Sequence, residues 1–256
     1  MMHMLSDVYY QTMRDLRARF RMPVWIFLSL FQPIIWLLLF TQIFQSLSQL
    51  PQLGTASYLQ FFAPGVVVMT VIFGSAWAGM GMLQDIDMGI LSKMLATPVT
   101  RPSIIIGRVI SAMVMLVIQA ILIFIIAVIM GVRLATGVPG VLLSIVIISL
   151  LGLGLAALSN GLALLLRRQE PLIAAINFIA LPSVFLSSAM MPAQLLPAWL
   201  NTLRHFNPVD YAVVGVRDLV LQGYVWSDLW TCLLILLAWA AAGITFGALM
   251  FRNKAE

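Results

Sequence analysis

An all-α polytopic membrane protein is the fold class this sequence predicts, and three observations carry the prediction. Of 256 residues, 62% are hydrophobic and only 9% are charged, against roughly 25% charged in a soluble globular domain. Mean hydropathy is +1.05. The apolar residues gather into six long runs, 24–44, 61–83, 104–130, 141–166, 172–190 and 229–251. Each approaches or exceeds the roughly 20 residues a helix needs to cross the hydrocarbon core. We therefore expect a single membrane unit over 1–256 with six transmembrane helices, an N-terminal interfacial helix and short re-entrant helices late in the chain.

The interfacial helix is expected over residues 5–21. Leu5, Tyr9, Met13, Leu16 and Phe20 recur at spacings of three and four and share one helical face. Ser6 suits an N-cap. Arg14, Arg17, Arg19 and Arg21 cluster in its second half, which favours a position at the headgroup level with the bases toward anionic lipid. Packing of the same face on a soluble domain is the other reading.

The spans follow, and Lys and Arg orient them. Of the 14 Lys and Arg residues, eleven fall on the side of the N-terminus: the four arginines of 5–21, Lys93, Arg101, Arg108, Arg167, Arg168, Arg252 and Lys254. Three, Arg133, Arg204 and Arg217, fall on the other. The positive-inside rule then places both termini, 84–101 and 167–170 in the cytoplasm, with 45–60 and 192–227 outside. Pro33 and Pro182 are expected to kink the first and fifth spans. Small residues at Gly74, Ala78 and Gly81, and at Gly152 and Ala156, permit close helix contact.

Between the second and third spans lies a short polar segment, Gln84 to Arg101. Ile86, Ile90, Leu91, Met94 and Leu95 fall at helical spacing, Asp85 and Asp87 come early, and Lys93 and Arg101 come late. Acids first and bases last suit a helix dipole, and Pro98 is expected to stop the helix. Taken alone, this helix reads either as a solvated connector or as a docking element. After the fifth span, Pro192, Pro197 and Pro208 divide residues 192–227 into short pieces. The partly apolar piece Val209 to Leu221 is too short to span and reads as re-entrant or as an ordinary loop. Trp199, Tyr224, Trp226 and Trp230 suit an interfacial belt.

Several kinds of chemistry are excluded. There is no G-x-x-x-x-G-K-S/T, and Lys93 and Lys254 are the only lysines, so the chain has no phosphate-binding loop for ATP. No carboxylate, His or Lys occupies the middle third of a span, where ion-coupled carriers need one. Cys232, His3 and His205 offer no metal-ligand spacing. No basic cluster interleaved with aromatics suggests nucleic acid. We thus expect no catalytic residue, no metal and no cofactor in this chain. The mid-span polar groups Gln32, Gln42, Gln119 and Asn177 are neutral; they serve either interhelical hydrogen bonding or, for Gln32, Gln119 and Asn177, a substrate path.

The chain resembles the membrane subunit of type-2 ABC exporters, the group that includes daunorubicin-resistance and polysaccharide-export permeases. The resemblance rests on an interfacial helix before the first span, Phe61-Phe62-Ala63-Pro64-Gly65, and the run from Gly89 to Arg101. It continues in Ser187-Ser188-Ala189 with Pro192, Leu196-Pro197-Ala198-Trp199-Leu200 and Asn207-Pro208-Val209-Asp210-Tyr211. Where the family usually has Glu-Arg-Glu before the glycine and a Glu after it, this chain has Asp85, Ile86, Asp87 and Ser92. The resemblance implies a bacterial plasma-membrane transporter of two permease chains, alike or related, and two copies of a separate ATPase that binds ATP and Mg. It implies that a helix at about 85–96 is the coupling helix, with Asp85, Asp87, Ile90, Leu91, Met94 and Leu95 toward the ATPase, flanked by Arg14 and Arg17. The implied cargo is hydrophobic, lipid-like or a glycan. A stand-alone carrier or channel is the alternative from another class.

Overall fold

The computed structural model describes residues 2–21, 23–46, 55, 57–97 and 101–254. Among them all regular structure is helical: α1 (Met2–Phe20), α2 (Pro23–Ile43), α3 (Tyr58–Ala76), α4 (Ala78–Asp87), α5 (Ile90–Leu95), α6 (Arg101–Ile129), α7 (Gly137–Leu166), α8 (Gln169–Phe185), α9 (Ala198–Leu203), α10 (Pro208–Leu221) and α11 (Trp226–Lys254). Four helical stretches are long and apolar enough to cross a membrane: 58–87, 103–129, 137–166 and 226–252. Two more, Phe27–Ile43 and Gln169–Phe185, are apolar but shorter. The expected outer loop 45–60 lies largely outside the described residues.

The centre of the bundle is α7, which packs against α3, α4, α6, α8, α10 and α11. Its closest neighbour is α11, and small residues make the seam. A Cβ on Gly243 would overlap the Gly154 carbonyl, and one on Gly247 would sit 2.9 Å from the Ala157 carbonyl. Trp239 donates its indole N–H to the Leu151 carbonyl at 3.2 Å. The pairings 239 with 151, 243 with 154 and 247 with 157 ascend together, so the two helices run parallel. Backbones brought this near gain dispersion contacts that lipid-facing helices otherwise lack.

The run 61–83 is two helices rather than one. Between them Trp77 keeps φ −77° but flattens to ψ −3°, which frees backbone groups inside an apolar environment. Ser159 of α7 meets that need. Its hydroxyl donates to the Ala76 carbonyl and accepts from the Gly79 N–H. Nearby Ala78, Ala112 and Ala156 form a small buried cluster of their own. The expected close-contact residues Ala78 and Ala156 thus meet, while Gly74 faces the Leu116 side chain and Gly81 faces Arg108.

The fifth apolar run also ends early, at Phe185 rather than 190, because residues after it are drawn into polar work. Asn207 caps α10 by accepting from the Val209 N–H at 3.0 Å, with Pro208 in the first turn. The same amide donates to the carbonyls of Ser183 and Leu186. Asp210 accepts from the Ser188 N–H at 2.7 Å and pairs with Arg204 at 2.8 Å. Arg217, buried, donates to the carbonyls of Phe61, Ser188 and Ala189, and its guanidinium lies 3.8 Å from the Phe61 ring centroid. Burial pushes this guanidinium down to about 10, so it stays charged at neutral pH. Thr136 and Ala135 tie the last turn of α10 to the α6–α7 connection. At this end of the bundle α10 is therefore clamped to the start of α3, the end of α8 and the start of α7.

One local expectation changes at the N-terminus. The helix is already formed from Met2, so Ser6 is an interior residue and not a cap. The stripe of Leu5, Tyr9 and Phe20 does not pack on the chain: these residues are 70%, 60% and 51% exposed. Contact with α6 runs instead along the edge bearing Gln11 and Thr12, and Gly107 makes room for it. Thr12 donates to the Gly107 carbonyl at 3.2 Å.

Candidate functional site

At the end of the bundle opposite α10, the chain gathers its charges. α4 runs past its last apolar turn and finishes with Asp85 and Asp87. Gly89 then turns the backbone at φ 66°, a left-handed conformation that costs L residues free energy. Nothing lies within 4 Å of a Cβ placed there, so the glycine serves backbone conformation and not space. Six residues of helix follow as α5.

This break corrects the expectation of a continuous helix over about 85–96. Asp85 and Asp87 close α4 and do not open α5, so they cannot act on the α5 dipole as N-terminal acids. Burial corrects a second expectation. Leu91 is only 8% exposed and belongs to the main apolar core, with Ile86 and Met94 packed against it. The apolar face thus faces this chain's own bundle. The side chain of Leu95, and residue Pro98, lie outside the described residues. The face left accessible carries Asp87, Met88, Ser92 and Lys93, with Met88 61% exposed and Ile90 half-buried.

Asp85 is buried, and its carboxylate joins three elements. Its Oδ2 accepts from Arg14 Nη2 of α1 at 2.8 Å and from Arg108 Nη2 of α6. Arg14 also bonds Asp15 at 2.9 Å, and its Nη1 approaches Met94 Sδ of α5 at 3.0 Å. Arg108 is buried too, beside Gly81, which lets its Nη1 run close to the α4 backbone. Sequence reading used Arg108 only as a topological charge. Its spacing to Asp85, across two helices and a connector, carries no signal in one dimension. Arg17, nominated beside Arg14, is exposed and lines an open groove of about 380 Å³ with Tyr9, Tyr10 and Arg21.

The residues nominated for a substrate path are scattered. Gln119 is buried and donates to Ser29 of α2 at 2.6 Å, joining α6 to α2. Gln32 is exposed on α2, and Asn177 is half-buried on α8.

Comparison with known proteins decides the family. The family model described as ABC-2 type transporter matches residues 7–221. The chain belongs to the ABC-2 type transporter family. Among its relatives is a protein of Cyanophora paradoxa named as transport permease ycf38, 32% identical over 200 residues, covering 78% of this chain and 69% of that one. The daunorubicin resistance ABC transporter permease protein DrrB1 of Streptomyces coeruleorubidus is 23% identical over 244 residues, 94% of this chain and 84% of that one. This ABC-2 family member is accordingly a membrane transport protein, the membrane component of an ABC transporter. The matched span includes most of α1, the charged cluster and α10.

Proposed function

We propose that this chain is the permease subunit of an ATP-driven exporter, powered by a separate ATPase that docks at the charged end of the bundle. The observation that carries this reading is the arrangement there. A short helix, α5, is anchored inward by Leu91 and offers Ser92 and Lys93 outward, beside Asp87 and Met88 of the α4–α5 turn. A chain lacking a phosphate-binding loop needs such a contact to receive free energy from ATP and Mg bound elsewhere, since a ligand drives only the states it binds differentially. Of the nominated residues, Asp87, Ile90 and Arg17 remain on the accessible side. Asp85, Leu91, Met94 and Arg14 support that surface from within.

In this reading the two shorter apolar helices, α2 and α8, complete six spans, both termini and α5 are cytoplasmic, and α9–α10 form the re-entrant element of a single permease domain over 1–256. The membrane is the bacterial plasma membrane, and a second copy of the chain or a related permease completes the path. At about 1.5 Å per residue, the 17 residues of α8 reach about 25 Å, so the clamped polar layer around Asn207 and Arg217 makes up the remainder of the outer leaflet. A hydrophobic, lipid-like or glycan cargo is supported by the apolar character of the spans and by a relative named for daunorubicin resistance.

Co-purification of the chain with its ATPase, followed by ATP hydrolysis across a panel of lipids, drugs and glycolipids, tests this reading. We expect a stable complex whose hydrolysis one class of compound stimulates. Transport by the purified chain with no ATPase present would instead establish the stand-alone carrier or channel.

A further inference from the structure

Asp85 is shared by two guanidiniums that come from different helices, and this is the only place among the described ion pairs where three elements meet. The four charges Arg14, Asp15, Asp85 and Arg108 balance. Arg108 and Asp85 are buried, while the Arg14 side chain is 39% exposed. Buried ionic contacts of this kind are directional: they hold only while the partners keep their mutual geometry, and separation leaves an uncompensated charge. Beside the ion pairs, α1 meets α6 where Gln11 lies close against Gly107 and Thr12 donates to the Gly107 carbonyl; it is the ion pairs that extend this contact to α4.

We propose that Asp85, with Arg14 and Arg108, is a positioning joint that makes α1, the α4–α5 turn and the start of α6 move as one body. It touches neither nucleotide nor cargo. Its role is to convert a displacement of α5 into a displacement of two spans and the interfacial helix together. Three features on the molecule favour this over a purely local ion pair. Arg14 bridges onward to Met94, so the joint reaches α5 itself. Gly81 leaves the space that Arg108 needs to cross the face of α4. The buried Arg108 Nε has no hydrogen-bond partner, so this arrangement leaves donor capacity that another arrangement of the same charges can use. The proposal rests on the exporter reading above.

The test uses the permease–ATPase complex in lipid. A single cysteine at Tyr224, 43% exposed at the α10 end, is placed in a Cys232→Ser background and labelled with a membrane-impermeant maleimide, with and without ATP and vanadate. The parent complex should label at a nucleotide-dependent rate. In the complexes that form, Asp85→Asn and Arg14→Gln should reduce the nucleotide-dependent change in labelling, normalised to ATP hydrolysed, by about tenfold, the scale of a typical coupling between sites. Asp85→Glu should retain it. A merely structural ion pair would lower yield and hydrolysis together and leave the labelling response of the surviving complexes intact. A parental labelling response in either Asp85→Asn or Arg14→Gln overturns the joint. If Asp85→Asn does not accumulate, the half-exposed Arg14→Gln decides. Failure of the parent chain to bind an ATPase, or to respond to nucleotide once bound, overturns the exporter reading instead.

Discussion

Asp218 shows how far a single residue's environment departs from its place in the sequence. It sits in α10 next to Arg217, with Asp228 of α11 in range, and burial together with the Asp228 charge pushes its carboxyl up to about 6. The unfolded chain loses that proton near the usual Asp value of about 3.9. Between these values the folded state holds a proton that the unfolded state has released, so stability falls as pH rises through the window and is constant above it. Asp218→Asn should flatten thermal stability from about pH 4 to 6 and raise it at neutral pH. A scan of melting temperature against pH in detergent checks this, and an unchanged slope would remove the assignment. Residues of this kind were the least legible beforehand. Asp210 and Arg217 could be named as charges in a non-spanning piece, but their partners, Ser188 and the Phe61 carbonyl, lie 22 and 156 residues away. Arg108 was readable only as one more cytoplasmic base.

Helical elements were far more legible, because hydrophobic run length and proline placement are local properties. Each of the six apolar runs is helical over most of its length, and the prolines at 197 and 208 stand at the starts of α9 and α10. What escaped was where helices break. The interruption at Trp77 is supported by Ser159 from another helix, and the one at Gly89 needed a conformation that the surrounding helical periodicity concealed. Two glycines separate the causes. Gly89→Ala has open space but a left-handed backbone, and should cost about 1 kcal/mol. Gly243→Ala has an ordinary helical backbone but meets the Gly154 carbonyl, and should prise α7 from α11 at about 1–3 kcal/mol, the range for overpacking. Melting temperatures of the two variants in the same detergent check the order, and a larger loss for Gly89→Ala would contradict it.

For the whole molecule, the sequence foretold a membrane transport protein, and the match over residues 7–221 agrees. For the segment after the second span it expected the apolar face to be turned to a partner, whereas Leu91 is turned into the bundle. Periodicity identifies an apolar face without saying what covers it, and here the bundle covers Leu91. The account therefore turns on the outward face of the α4–α5 turn and α5. A photo-reactive amino acid placed at Met88 or Lys93, and as a control at Phe206 on the α10 end, can be activated in cells that express the transporter with its ATPase. The account predicts crosslinks to the ATPase from Met88 and Lys93 and none from Phe206. Crosslinks to the ATPase from Phe206, or none from either Met88 or Lys93 in cells where the complex forms, would contradict it.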